Sequence, residues 1–310
     1  MRILIMGSGG VGGYFGGRLA QAGNDVTFVA RGAHGAALRE HGLRLKSGAG
    51  DLHLPRVQVT QNPADAGPVD LVLFSVKLWD TVAAARSLKP VLKADTAVIS
   101  FQNSVVKDDL LSQALGAAHV AGGVAYIAAT IGEPGLIVHN GAMARLVFGE
   151  HDGRISERLS RFAQACTEAG ITHDLTPRIG LALWEKFVFL SSLAAATTLA
   201  RLPIGRIRDH PRARTFLHDL IDEAVQVGRA EGVPLPPEYA ESRLAFADTL
   251  PATMTSSMHH DLQRGNRLEL PWLSGDVVER GRRLGVATPC HRAVVDMLSL
   301  HADGASAPAA

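Results

Sequence analysis

The sequence predicts an α/β chain in two parts, an N-terminal doubly wound parallel sheet followed by a C-terminal all-α domain. Three observations carry this. A short apolar strand at the very start runs into a glycine-rich turn and a helical pattern. Short β-rich runs then alternate with helical ones, the pattern of βαβ units and a parallel sheet. Beyond about Thr176 strand signals nearly vanish and long helical patterns take over. A chain of 310 residues is long enough for two domains at about 150 residues each. The expected boundaries are 1–176 and 177–310.

In order, the strands are Arg2 to Met6, Asp25 to Ala30, Val57 to Thr60, Leu71 to Val76 and Ala97 to Phe101, with a helix over Val11 to Ala22. Leu136 to His139 and Arg145 to Phe148 flank Asn140-Gly141, which reads as a hairpin or a close pair of strands. The helical patterns cover Ile179 to Ala200, Pro211 to Glu231, Pro237 to Ala247, a stretch through Met258, Trp272 to Leu284, and Cys290 to His301. Gly304 to Ala310 reads as a frayed tail.

Lys+Arg total 31 against Asp+Glu 30, a net charge of +1, so no polyelectrolyte term favours nucleic acid or an anionic membrane. Hydrophobic residues are 46%, enough for a core. Cys166 and Cys290 stand far apart and the 13 histidines form no HExxH, so a disulfide framework and a metal site are both disfavoured. The chain reads as cytoplasmic. Ile179 to Ala200 is long enough to span a membrane, but it carries Glu185 and Lys186, which are costly in lipid. A helix buried in protein is the expectation.

Gly7-Ser8-Gly9-Gly10-Val11-Gly12 matches GxGxxG between a strand and a helix, the context a Rossmann-type dinucleotide site requires. The first glycine permits the turn, the second lets a pyrophosphate approach, and the third packs helix on strand. The helix N-terminus offers free N–H groups to the phosphates. After the second strand, NAD-binding domains usually place an acid on the ribose, whereas an arginine accommodates a 2′-phosphate. Here Ala30-Arg31-Gly32 stands there, which favours NADP(H). Lys186 lies within Trp184-Glu185-Lys186-Phe187-Val188-Phe189-Leu190, no charge follows it until Arg201, and its neighbours along the helix face are apolar. Such a lysine either snorkels from a domain edge or sits in a dry site suited to giving a proton to a carbonyl oxygen.

Together these pieces resemble the ketopantoate reductases (2-dehydropantoate 2-reductases) over nearly the whole chain. The matching segments are Gly7 to Gly12, Arg31, Ser75-Val76-Lys77, Gln102-Asn103, Pro134-Gly135 to His139, Trp184-Glu185-Lys186, and Ser256-Ser257-Met258 with Asp261 and Glu269. The resemblance implies NADPH-dependent reduction of a 2-oxo acid to a 2-hydroxy acid. It implies Lys186 as the catalytic proton donor, with Glu269 beside it and beside the cofactor. It also implies that Asn103 orients substrate and nicotinamide, that Lys77 lines the cofactor site, and that Ser257 binds the substrate carboxylate. From the residues alone, Asn103 reads as a turn former, Glu269 as an exposed helix residue and Ser257 as an N-cap. His259 and His260 fall outside the motifs and read as surface residues.

The departures are as informative. The family usually carries asparagine four and eight residues beyond its lysine; here those positions are Leu190 and Ala194, near the Lys186 face of the helix. A further family asparagine is Ile204, and QNG reads Gln102-Asn103-Ser104. Loss of hydrogen-bonding amides removes discrimination for a substrate hydroxyl. Ketopantoate and a more apolar 2-oxo acid are therefore both candidates, with Leu190 and Ala194 lining the substrate side. The rivals are a non-catalytic NADP(H)-binding sensor and another two-domain dehydrogenase of the 3-hydroxy acid or opine type. The expected partner is a small-molecule 2-oxo acid, and the oligomeric state is left open, a homodimer included.

Overall fold

The computed structural model describes residues 1–305. Ten strands form one sheet: β1 (Arg2–Met6), β2 (Asp25–Val29), β3 (Leu43–Ser47), β4 (Leu52–Leu54), β5 (Gln58–Thr60), β6 (Val69–Phe74), β7 (Leu92–Ser100), β8 (Val120–Glu133), β9 (Leu136–Gly149) and β10 (Thr172–Leu175). Their order is β4-β3-β9-β8-β7-β6-β1-β2-β5, with β10 beside β9. The run β5-β2-β1-β6-β7-β8 is parallel throughout. Counted in chain order, those six strands follow the 3-2-1-4-5-6 arrangement of a dinucleotide-binding sheet. Along β1, Ile3 and Ile5 join one core and Leu4 and Met6 the other, so both faces of the sheet are covered.

The helices of this part are α1 (Gly10–Gln21), α2 (Gly32–His41), α3 (Thr81–Ser87), α4 (Lys107–Leu115) and α5 (Glu157–Glu168). The remainder are α6 (Ile179–Ala200), α7 (Ile204–Arg208), α8 (Pro211–Ala230), α9 (Tyr239–Thr249), α10 (Ser257–Gln263), α11 (Ser274–Leu284) and α12 (Pro289–Leu298). The chain divides into two compact units. One comprises Met1–Gln102 and Lys107–Ala182; the other comprises Asn103–Val106 and the chain from Leu183 on. The helical unit thus starts later than Thr176 and takes in a four-residue excursion, Asn103–Val106, from between β7 and α4.

Three expectations need correction. Asn140-Gly141 is not a hairpin turn: β9 runs continuously through it, and the β8–β9 pairing slips between Ile127/Ala128. Gly141 (φ 82°) serves that irregularity, and the hairpin instead turns at Pro134-Gly135, where Gly135 has φ 81°. Strands β3, β4, β8 and β10 are additional to those predicted. Of the expected frayed tail, Gly304 and Ala305 are held, the Ala305 amide donating to the Gly265 carbonyl at 2.8 Å. Residues 306–310 lie outside the described residues.

In the helical unit Glu223 on α8 accepts the backbone N–H groups of Cys290 (2.6 Å) and His291 (2.9 Å), capping α12. The wholly buried His291 ring donates from Nε2 to the Leu220 carbonyl at 3.0 Å. Burial pushes its pKa down to about 4. An unfolded histidine titrates near 6.5, so as pH falls below that value the unfolded chain takes up the proton first. Stability is fully present above about pH 6.5 and falls by about 3 kcal/mol as pH drops toward 4. Urea unfolding across this window should record the loss, and His291→Gln should flatten the slope.

Candidate active site

In the α/β unit the glycine-rich loop leaves β1 and enters α1. Gly7 has φ 100°, and a Cβ there would stand 2.7 Å from the Val76 backbone nitrogen, so both conformation and space demand glycine. Any Cβ on Gly10 or Gly12 would collide with backbone, the Ala129 carbonyl of β8 and the Gly7 carbonyl respectively. Gly9 differs: nothing lies within 4 Å of the position its Cβ would take. It is also the N-cap of α1, with no side-chain cap and no acid in the first turn. The amides of Gly10, Val11 and Gly12 therefore open the helix as donors beside free space, a fit for a pyrophosphate. The Ser8 hydroxyl is turned inward to the Val29 carbonyl (3.0 Å), so Ser8 offers a ligand only its backbone.

Arg31 follows β2 at the N-cap of α2; it is exposed, and its guanidinium has no hydrogen-bond or ion-pair partner among the described residues. Lys77 is exposed in the loop after β6, its ammonium 5.5 Å from the centre of the Trp79 ring. Ser75 ties that loop to the glycine-rich one, its hydroxyl donating to the Gly7 carbonyl at 2.7 Å. A cavity of about 620 Å³ lies elsewhere in this unit, beside Lys46, Ser47, Glu133 and His139, and none of the candidate residues lines it.

In the helical unit α6 carries Lys186, half-buried, whose Nζ donates to Asn103 Oδ1 at 2.7 Å. Asn103 is thus more than a turn former. The amide fixes one of the three ammonium hydrogens and with it the direction of the group. Its neighbour Ser104 anchors the excursion, its hydroxyl donating to the Trp272 carbonyl at 3.1 Å. Glu269 is 8% exposed and stands just before the Leu270–Trp272 turn, so it is a buried acid and not an exposed helix residue.

Ser256, not Ser257, is the N-cap of α10: its hydroxyl accepts from the His259 amide at 3.1 Å. Ser257 is exposed and free of capping duty. His259 is not a surface residue. It is 3% exposed, its Nδ1 is 2.8 Å from the Thr197 carbonyl, and Thr197 Oγ1 is 3.0 Å from Ser256 Oγ. His260 is exposed as expected. Leu190 is partly exposed, whereas Ala194 retains 1% of its surface and packs inside protein, as does Ile204 at 0%. Of the two predicted lining positions only Leu190 has surface to offer a substrate. The motif residues give no sign of the Thr197–Ser256–His259 network, which forms between segments distant in sequence.

Two family models match the chain. The one described as ketopantoate reductase PanE/ApbA matches residues 3–153, and the one for its C-terminal part matches residues 178–302. The chain belongs to the ketopantoate reductase family. A 2-dehydropantoate 2-reductase of Halobacterium salinarum is 32% identical over 303 residues, covering 97% of this chain and 98% of that protein. An uncharacterized oxidoreductase of Bacillus subtilis, YkpB, is 31% identical over 301 residues, covering 97% and 99%. The crystal structure of a PanE/ApbA family ketopantoate reductase from Ralstonia eutropha superposes with a TM-score of 0.89 at 34% identity, covering 97% of this chain and 98% of that one. A D-mandelate dehydrogenase solved with NADH and anilino(oxo)acetate shares the fold, with a TM-score of 0.87 at 19% identity.

As a ketopantoate reductase family member the protein is an oxidoreductase of a pyridine-nucleotide-dependent class. The α1 N-terminus fits such a cofactor: Gly9, Gly10, Val11 and Gly12 would hold its pyrophosphate through backbone N–H groups.

Proposed function

We propose that the protein uses NADPH to reduce a 2-oxo acid to a 2-hydroxy acid, with Lys186 as general acid, in the cytoplasm. The observation that carries this reading is the Lys186 Nζ to Asn103 Oδ1 hydrogen bond, an oriented ammonium in a helix otherwise apolar from Phe187 to Leu190. A bound nicotinamide would supply the hydride to C2. The chain's own task is the oxygen. As C2 becomes a carbinol the carbonyl oxygen gains negative charge, and an ammonium within about 3 Å stabilises that charge and gives up a proton. Asn103 fixes the ammonium's direction. Ser257, exposed at the start of α10, is a donor for the substrate carboxylate, and Glu269 is a buried acid suited to holding the lysine charged.

Ketopantoate is the first substrate to test. A more apolar 2-oxo acid is the second reading, favoured by Leu190 and by Phe189, whose ring meets that of Phe246 edge-on at 5.1 Å, with Phe246 38% exposed. Stranding a buried hydroxyl against such a surface costs about 1–3 kcal/mol. NADPH oxidation should be followed with ketopantoate, 2-oxoisovalerate and bulkier 2-oxo acids. Turnover of at least one is expected; tight NADPH binding with turnover of none would instead favour the sensor. Arg31, unpaired beside the end of β2, supports NADPH over NADH. NADPH should give the higher kcat/KM, and Arg31→Ala should narrow the preference chiefly by weakening the NADPH value. Equal use of both cofactors by the wild type would contradict the assignment.

A further inference from the structure

Gln102 is the last residue of the α/β unit before the chain enters the helical one at Asn103. Its side chain is 8% exposed and fully hydrogen-bonded. Oε1 accepts from Ser100 Oγ at 3.0 Å, while Nε2 donates to the Val76 carbonyl at 2.9 Å and to Thr81 Oγ1 at 2.8 Å. Thr81 Oγ1 in turn donates to the Leu78 carbonyl at 2.8 Å. Val76 stands between Ser75, which holds the Gly7 carbonyl, and Lys77. One peptide bond beyond Gln102, Asn103 accepts from Lys186.

We propose that Gln102 is a positioning residue: it ties the glycine-rich loop, through Ser75 and Val76, to the backbone that presents Asn103 to Lys186. The inference rests on the function proposed above. A primary amide suits this task because it donates twice and accepts at once, and the three partners it meets are one hydroxyl donor, one carbonyl and one hydroxyl oxygen. A buried network of this kind is rigid only while every member is satisfied.

Gln102→Leu keeps the bulk and strands the Val76 carbonyl. It should lower kcat on the best 2-oxo acid on the order of tenfold to a hundredfold, the scale of a small misplacement of catalytic groups. The NADPH dissociation constant should rise by less than kcat falls, because the N–H groups of α1 are untouched and only the loop that carries Lys77 is loosened. Gln102→Glu separates positioning from bulk stability. Its carboxylate can accept from Ser100 and, once that hydroxyl turns, from Thr81, but it cannot donate to Val76; its protonated form can. The kcat of Gln102→Glu should therefore climb toward wild type as pH is lowered, and that of Gln102→Leu should not. Amide exchange gives a readout independent of turnover. The Asp80 and Val106 amides, bonded to the Lys77 carbonyl (2.9 Å) and to Ser104 Oγ (3.2 Å), should exchange at least about tenfold faster in Gln102→Leu. Both variants within twofold of wild-type kcat would overturn the inference. If the wild type reduces no 2-oxo acid the proposed function fails, and unchanged exchange at both amides would then overturn the inference separately.

Discussion

Lys186→Ala should lower kcat by about a hundredfold or more, with NADPH affinity near wild type. The split follows from where the groups are. Nζ of Lys186 is bonded to Asn103 inside the helical unit, whereas the amides suited to the pyrophosphate open α1 in the α/β unit. Removing the ammonium takes away both the proton and the charge that meets the developing alkoxide, and neither matters to the resting nucleotide complex. Glu185 cannot stand in, since it points about 100° away around the helix. The wild-type kcat should decline at alkaline pH as the ammonium loses its proton, and that limb should be missing in the variant. Lys186→Arg keeps the charge but is a poor acid at neutral pH, so it should also be slow. His259 is a poor substitute donor, buried at 3% exposure with Nδ1 engaged by Thr197. Near-full kcat in Lys186→Ala would move the proton donor elsewhere, with exposed His260 the next residue to test.

The second large effect concerns stability. Lys107→Met should destabilise the protein by about 3–5 kcal/mol. The Lys107 side chain is 0% exposed; its Nζ donates to the Ser100 carbonyl at 2.8 Å and to Asp108 Oδ1 at 2.9 Å. Burial pulls the lysine's pKa down, and Asp108 works against that pull. Methionine fills the space but leaves the buried Asp108 carboxylate without its ammonium, and Oδ2 of that carboxylate already lacks a hydrogen bond, with His151 Nε2 standing 3.5 Å away. Combining Lys107→Met with Asp108→Asn removes the stranded charge and should recover much of the loss. Urea unfolding of the wild type, Lys107→Met and the double variant measures the difference; a single variant within about 1 kcal/mol of wild type would mean that Asp108 does not depend on the Lys107 ammonium.

The α/β part was legible where local signals coincide. A strand, three spaced glycines and a helix start form a short continuous segment, and their geometry is local. Lys186 was legible as an anomaly, a charge in an apolar run. Less visible was β8, because Ala-Gly-Gly-Val-Ala has neither alternation nor β-branched density, and its place is set by pairing with β9. The Asn140-Gly141 dipeptide signalled a turn, yet tertiary pairing on both sides of β9 kept the strand running. At the site, the Asn103–Lys186 bond joins residues 83 apart, a separation no periodicity reports. Ser256 and Ser257 are chemically alike, and only the backbone at the start of α10 sorts the cap from the exposed hydroxyl. His259 became a core residue because its Nδ1 meets the Thr197 carbonyl near the end of α6.

The most direct test of the account uses NADPH carrying deuterium at the transferable position of the nicotinamide, with the best 2-oxo acid as acceptor. Mass spectrometry of the product should find one deuterium at C2 of the 2-hydroxy acid for each NADPH oxidised, formed far more slowly by Lys186→Ala. Oxidation of NADPH without a 2-hydroxy acid, or a product without label at C2, would contradict it.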